Sequence, residues 1–138
     1  KKELFEKIAA SVPVDFQRII KEEEAAKGLP SERYENIAEG YLLELLKHHK
    51  VFVILMDKSC GTKYENAKEE MIASLGAHIK RELSKKTKRV YHNMLIHILA
   101  SNFAESLLEV ARHYKTQEKA KELLRLVTQC YYGGVNSL

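Results

Sequence analysis

Apolar residues recur every three to four positions along almost the whole chain, a spacing that places them on one face of an α-helix. The 138 residues include only two prolines and six glycines, so few positions interrupt a helix. A chain of this length can bury the core of one ordinary domain. The sequence therefore predicts an all-α fold, a helical bundle formed by a single domain over residues 1–138.

The same pattern divides the bundle into about six to seven helices joined by short turns. Pro13 interrupts the first helix, Gly28 and Pro30 mark a turn, and Thr116 is suited to cap the last helix because its hydroxyl can accept a backbone hydrogen bond. The predicted helices span residues 1–12, 16–28, 31–48, 50–58, 64–83 and 87–114, and the last runs from Thr116 to beyond Gly133.

Composition excludes several classes of protein. The net charge of +4 is mild, and most basic residues alternate with acidic ones as on a solvated helical surface. Cys60 and Cys130 lie far apart without the spacing of a zinc site or of a disulfide-rich secreted scaffold. The longest apolar run, VFVILM at 51–56, is far shorter than the roughly 20 residues of a membrane span. We expect a cytoplasmic protein that does not use a membrane.

No motif for catalysis or for a cofactor occurs in the sequence, which lacks GxGxxG, a Walker A loop, GxSxG and HExxH. We therefore predict that the protein is not an enzyme and holds no metal or cofactor. Asn93 and His97 lie one turn apart on a helix rich in apolar residues. They are either hydrogen-bonded core residues or polar groups in a ligand pocket. The basic stretch 80–92 is either a solvated connection between helices or a contact for phosphates.

Small residues mark the two C-terminal helices. Ala100 and Ala104 stand among large apolar residues, and Gly133 and Gly134 lie where a helix disfavours glycine by about 1 kcal/mol each. Small side chains let another helix approach closely. That helix could belong to the same chain or to a second copy, since a two-fold interface uses the same patch twice.

The order of these segments resembles the C-terminal domain of the TetR (tetracycline-repressor-like) transcriptional regulators. KKELFEKI is similar to the start of the helix that follows the helix-turn-helix of this family, and LLELLKHHKVFVILM to the junction between a pocket helix and a short buried one. YENAKEEMIASLGAHIKREL is similar to the next long helix. The segment from His92 to Leu138 is similar to the two helices that form a four-helix bundle in the dimer.

The resemblance implies a ligand-binding and dimerisation domain whose DNA-binding helix-turn-helix would lie upstream of Lys1. A small apolar or amphipathic effector would enter a cavity in each bundle, shift helix 1–12, and change the spacing of the paired DNA-binding heads. Asn93 and His97 would be the polar anchors. The predicted cavity is lined by Tyr41, Leu45, Phe52, Met56, Met71, Leu75, Tyr91, Asn93, Met94, Leu95, His97 and Ile98.

A homodimer is the other expectation, with the last two helices at its interface. The residues predicted at or near this interface are Ala100, Phe103, Ala104, Leu107, Leu108, Leu124, Val127, Tyr131, Gly133 and Gly134. Two other functions stay open. A helical interaction or scaffolding module would have a solid core without a pocket, and a small helical enzyme would bring perturbed titratable groups together in a cleft.

Overall fold

The structure, a computed structural model, describes residue 40 and residues 42–138. A helical segment at 42–47 precedes four helices: α1 at His49–Asp57, α2 at Ala67–Lys86, α3 at Asn93–Arg112 and α4 at Gln117–Asn136. No strand occurs among the described residues, which confirms the predicted all-α class there. The helices predicted over 1–12, 16–28 and most of 31–48 lie outside the described residues.

The start of α3 differs from the prediction. A helix was expected from residue 87, but Thr87–His92 is not helical and α3 begins at Asn93. His92 is the N-cap: its backbone is extended, and its Nδ1 accepts a hydrogen bond from the backbone N–H of Met94 at 3.0 Å. An imidazole here satisfies one of the free N–H groups of the first turn. The helix is consequently about 30 Å long, not 40 Å.

The bounds of α2 are also shifted. Residues 64–66 belong to a turn that follows Gly61, whose φ of 78° is a backbone conformation that glycine adopts without strain. Thr62 fixes this turn because its Oγ1 donates to Ser59 O at 2.7 Å and accepts from Tyr64 N at 3.1 Å. The helix then continues beyond the expected end at Leu83, as far as Lys86.

The structure confirms that α4 starts at Thr116 as its N-cap and that it continues beyond Gly133. Thr116 Oγ1 accepts a hydrogen bond from Lys119 N at 3.2 Å, which makes Thr116 the N-cap. Gly133 and Gly134 are both helical, and the helix reaches Asn136.

The central element of the described part is α3, which packs against α1, α2 and α4. On one side of it lies the large core, built by the helical segment 42–47, α1, α2, α3 and α4. Its most deeply buried large side chains are Leu45, Leu46, Phe52, Leu107, Leu108 and Leu124. The small core lies nearer the start of α3 and joins α2, α3 and α4 through Ile79, Leu83, Ile96, Ala100 and Val135.

The composition of α3 reflects this central position. Among the described residues, it is the one helix whose length and composition would allow it to cross a membrane, a test that the core helix of a soluble bundle also passes. Ala100, Ala104, Leu107 and Leu108 are completely buried by the other helices of the same chain. Burial within the bundle thus accounts for part of the apolar character of α3, whose most apolar stretch is 44% buried.

Candidate functional site

The residues predicted to line a ligand cavity fall into two groups in the structure. Leu45, Phe52, Met56 and Met71 are 1–7% exposed and lie together in the large core. Leu75 is partly buried and packs against both cores. Tyr41 lies outside the described residues. The structure therefore brings the predicted residues of the helical segment 42–47, α1 and α2 into one place.

The predicted cavity residues on α3 and just before it are separate from that group. Tyr91 and Leu95 are half-buried, while Met94 and Ile98 are 57% and 45% exposed. Ile96 and Ala100 instead point into the small core, because they lie on a different face of the helix from Met94 and Ile98. Periodicity alone did not tell which apolar face of α3 is buried.

The two polar anchors predicted on α3 face solvent. Asn93 and His97 are both exposed. Asn93 Oδ1 accepts a hydrogen bond from Lys80 Nζ at 3.4 Å, which links the start of α3 to α2. The expectation that these two residues are buried polar groups in need of partners is therefore corrected. The buried histidine of the described part is His78, which is 6% exposed on α2 and was not singled out by the sequence.

An open cleft of about 330 Å³ lies elsewhere, between the C-terminal ends of α2 and α4. Leu83 and Val135 supply its apolar surface, and Glu82, Lys85, Lys86 and Asn136 complete its lining. Lys86 Nζ donates to both Asn136 O and Asn136 Oδ1 at 2.9 Å. None of the twelve predicted cavity residues lines this cleft.

Most residues predicted at a dimer interface pack inside the chain. Ala100, Phe103, Ala104, Leu107, Leu108 and Leu124 are 0–6% exposed. A Cβ added to Gly76 on α2 would lie 3.7 Å from Ala100 Cβ and 3.6 Å from Ile96 Cγ2. The helix that approaches Ala100 of α3 is thus α2 of the same chain. This corrects the argument that Ala100 and Ala104 make room for a second copy.

The remaining four predicted interface residues all lie on α4 and are at least partly exposed to solvent. Val127 and Tyr131 are half-buried, and Tyr131 stacks on Phe103 with ring centroids 4.2 Å apart. Gly133 and Gly134 are exposed, and a Cβ added at either would meet nothing within 4 Å. Nothing in the described chain requires glycine at these two positions.

The structure reveals an exposed apolar strip on α4, of which the sequence predicted only the two glycines at its end. Leu123 and Leu126 are 38% and 43% exposed, Cys130 is exposed, and Gly133 and Gly134 follow along the same side of the helix. We call these residues the outer strip of α4. The spacing of three, four and three residues between Leu123, Leu126, Cys130 and Gly133 was the available signal. All exposed large apolar side chains of the described residues lie between Val90 and Leu138.

An ion-pair cluster centres on Arg112, at the C-terminal end of α3. The guanidinium binds Asp57 in a bidentate manner, with Nε–Oδ2 at 2.9 Å and Nη2–Oδ1 at 2.7 Å, and it also contacts Glu105 and Glu109. Lys68 Nζ lies 3.1 Å from Glu105 Oε2. The cluster therefore links α1 and α2 to α3.

This cluster changes the titration of its members. Hydrogen bonds from Arg112 hold the pKa of Asp57 below its ordinary value. Those from Arg112 and Lys68 do the same to the pKa of Glu105. The three carboxylates in turn raise the pKa of Arg112. Every charge in the cluster has an opposite partner, as expected of a structural network.

Near the same end, His49 stacks on Tyr114 with ring centroids 4.1 Å apart and an angle of 15° between the planes. Burial and the neighbouring Lys50 lower the pKa of His49, so its imidazole favours the neutral form. Among the described residues, no group of three or more His, Cys, Asp or Glu side chains could hold a metal ion. Cys60 and Cys130 are both free thiols.

Comparison of the chain with protein families, with curated proteins and with solved structures finds no match. The resemblance to the TetR regulators therefore rests on the sequence alone.

Proposed function

We propose that the chain is the effector-sensing and dimerisation domain of a bacterial TetR-like transcriptional regulator, a cytoplasmic repressor that releases DNA when a small molecule binds. In this function the chain itself is not catalytic. It contacts DNA only through a helix-turn-helix domain encoded upstream of Lys1. The chain alone would then give no sequence-specific retention of duplex DNA, because the helix that enters the major groove is not part of it.

The observation that carries this proposal is the apolar surface left on α3 and α4. Both are 20-residue helices, and their own core is filled by Leu107, Leu108 and Leu124. Leu123 and Leu126 are nevertheless left exposed. A second copy related by a two-fold axis would present the same strip, so the two strips could cover each other. A large exposed apolar patch commonly marks such an interaction surface.

Effector binding is supported by the convergence of Leu45, Phe52, Met56 and Met71 in the large core. Methionine side chains are flexible and adapt to ligands of different shape. A small apolar molecule that separated these side chains would alter the packing of the helical segment 42–47 and α1. It could change DNA affinity only by binding one arrangement of the bundle better than the other.

A helical interaction or scaffolding module is the second candidate. The observation that favours it is the low exposure of the same four core residues, 1–7%, which is typical of a solid core. Melting temperature in the presence of apolar and amphipathic small molecules separates the two candidates, because only a bundle with a binding cavity is stabilised by a ligand. A rise that saturates with concentration favours the effector domain, and no rise with any compound favours the interaction module.

Replacement of one residue of the outer strip tests the dimer. Leu126→Glu introduces a charge at the proposed seam, and the exposed position of Leu126 spares the core. Lys121→Glu is the matched control: it places the same carboxylate on α4, about 140° around the helix. We expect sedimentation velocity to show a monomer for Leu126→Glu and a dimer for Lys121→Glu. Equal dimerisation of both variants would overturn the proposed interface.

A further inference from the structure

The positive charge of the chain is concentrated where α2 ends. Residues 80–89 contain six basic residues and one acidic residue, a net charge of +5, whereas the entire chain carries +4. All other residues together therefore carry a net charge of −1. The six basic side chains are all exposed: Lys80, Arg81, Lys85, Lys86, Lys88 and Arg89.

Part of this charge has a role within the fold. Lys85 lies 3.8 Å from Glu82, and Lys86 donates to the last carbonyl of α4 at Asn136. Both also lie in the last turn of α2, where a cation complements the helix dipole. These contacts account for the positions of Lys85 and Lys86. They do not involve the basic residues of the segment that follows α2.

The segment between α2 and α3 is the part that the fold does not explain. Lys88 and Arg89 are exposed and, within the described part of the chain, form no ion pair with a carboxylate. Arg89 lies over the ring of the half-buried Tyr91 at 4.9 Å. Between them, Val90 is 93% exposed, the highest exposure of any large apolar residue described.

A second exposed apolar residue belongs to the same end of the molecule. The contact of Lys86 with Asn136 joins the end of α2 to the end of α4, and Leu138, two residues further on, is 41% exposed. Val90 follows Lys86 by four residues. We call Lys88, Arg89, Val90 and Leu138 the basic end.

We propose that the basic end docks on the surface of an anionic lipid bilayer. Cations attract acidic headgroups, and apolar tips beside them can enter the boundary between headgroups and acyl chains. A nucleic acid offers the same phosphates but gives no benefit to Val90 and Leu138, which would stay in water. The combination of cations and apolar tips therefore favours the bilayer. This inference does not depend on the proposed regulatory function, and it replaces the expectation from the sequence that the protein does not use a membrane.

Co-sedimentation of the 138-residue chain with vesicles tests the proposal. We expect binding to vesicles that contain phosphatidylglycerol and none to pure phosphatidylcholine, with most of the binding lost at high salt because the attraction is screened. The double variant Lys88→Gln/Arg89→Gln should weaken the partition about fivefold for each cation removed. Val90→Ser should cause a smaller loss that persists as salt is raised, since apolar burial is not screened.

Lys119→Gln/Lys121→Gln is the matched control, because it removes the same charge from exposed positions at the opposite end of α4. This variant should keep most of the vesicle binding. Circular dichroism should show an unchanged helix content in all variants, because every substituted residue is exposed.

Three results would overturn the proposal. The first is no binding to anionic vesicles at low salt. The second is an equal loss of binding in the control variant, which would show that only net charge matters. The third is retention of nonspecific duplex DNA that depends on Lys88 and Arg89 while vesicle binding does not, which would assign the basic end to nucleic acid.

Discussion

The two sides of α3 differ in how completely the chain covers its own apolar surface. Towards α1 and α2, no large apolar side chain of the described helices is left exposed, and the Arg112 cluster holds the helices together. Along α3 and α4, by contrast, Met94, Ile98, Leu123 and Leu126 are 38–57% exposed. The apolar side chains on the first side are covered within one chain, whereas those on the second side remain exposed and available to a partner.

This comparison changes the expected effect of substitutions at the predicted dimer interface. Ala104 was predicted at the dimer interface, but it is 0% exposed within one chain. An arginine there would bury a charge without a partner and overfill the large core, so we expect a loss of more than about 4 kcal/mol of unfolding free energy. Urea denaturation measures it. A folded Ala104→Arg chain of near-normal stability would show that α3 is not closed on this side.

A smaller effect is expected at the Arg112 cluster, because its side chains are 25–53% exposed and solvent screens them. Arg112→Met should lower the unfolding free energy by about 1 kcal/mol at neutral pH. The pKa values of Asp57 and Glu105 are lower in the folded chain than their ordinary 3.8 and 4.5. The stabilisation is therefore complete above those ordinary values and is lost as pH falls through the folded ones.

Urea denaturation of the unmodified chain and of Arg112→Met at several pH values checks this expectation. The difference between the two should vanish in acid, where the carboxylates are protonated, and should shrink at high salt. Leu107→Ala serves as a control, because the cost of a cavity in the large core depends on neither pH nor salt. A difference for Arg112→Met that stays constant from neutral pH to acid would contradict the ion-pair account.

The smallest effect on stability, but a clear effect on assembly, is expected at the outer strip. Gly133→Leu removes a residue that disfavours a helix, and nothing in the described chain lies within 4 Å of the added Cβ. The monomer should be as stable as before or more stable by up to about 1 kcal/mol. Dimerisation should weaken if two backbones approach at this position. A stable variant with unchanged dimerisation would remove Gly133 from the interface.

The sequence predicted those features of the fold that depend on residues close to one another in the chain. The all-α class and the N-cap at Thr116 follow from local patterns, and the structure confirms them. It did not predict that His92 would cap α3, because histidine is an unusual residue at that position. The expected helix therefore began six residues too early.

The candidate site was less predictable from the sequence, because it depends on which helix faces pack against each other in the fold. Ala100 marks a close helix contact in the sequence, but only the fold shows that Gly76 of the same chain provides it. The pairing of Asp57 with Arg112 joins residues 55 positions apart, a distance at which no local pattern operates. Likewise, Met94 and Ile98 have the periodicity of a buried face and are nevertheless exposed.

The mass of the unmodified chain in solution tests the central claim most directly, namely that the surface left open on α3 and α4 is covered by a second copy. Multi-angle light scattering across a dilution series should give twice the chain mass of 15.9 kDa at high concentration, with dissociation only on dilution. A mass of 15.9 kDa at tens of micromolar, about where even a weak specific dimer should form, would contradict the claim.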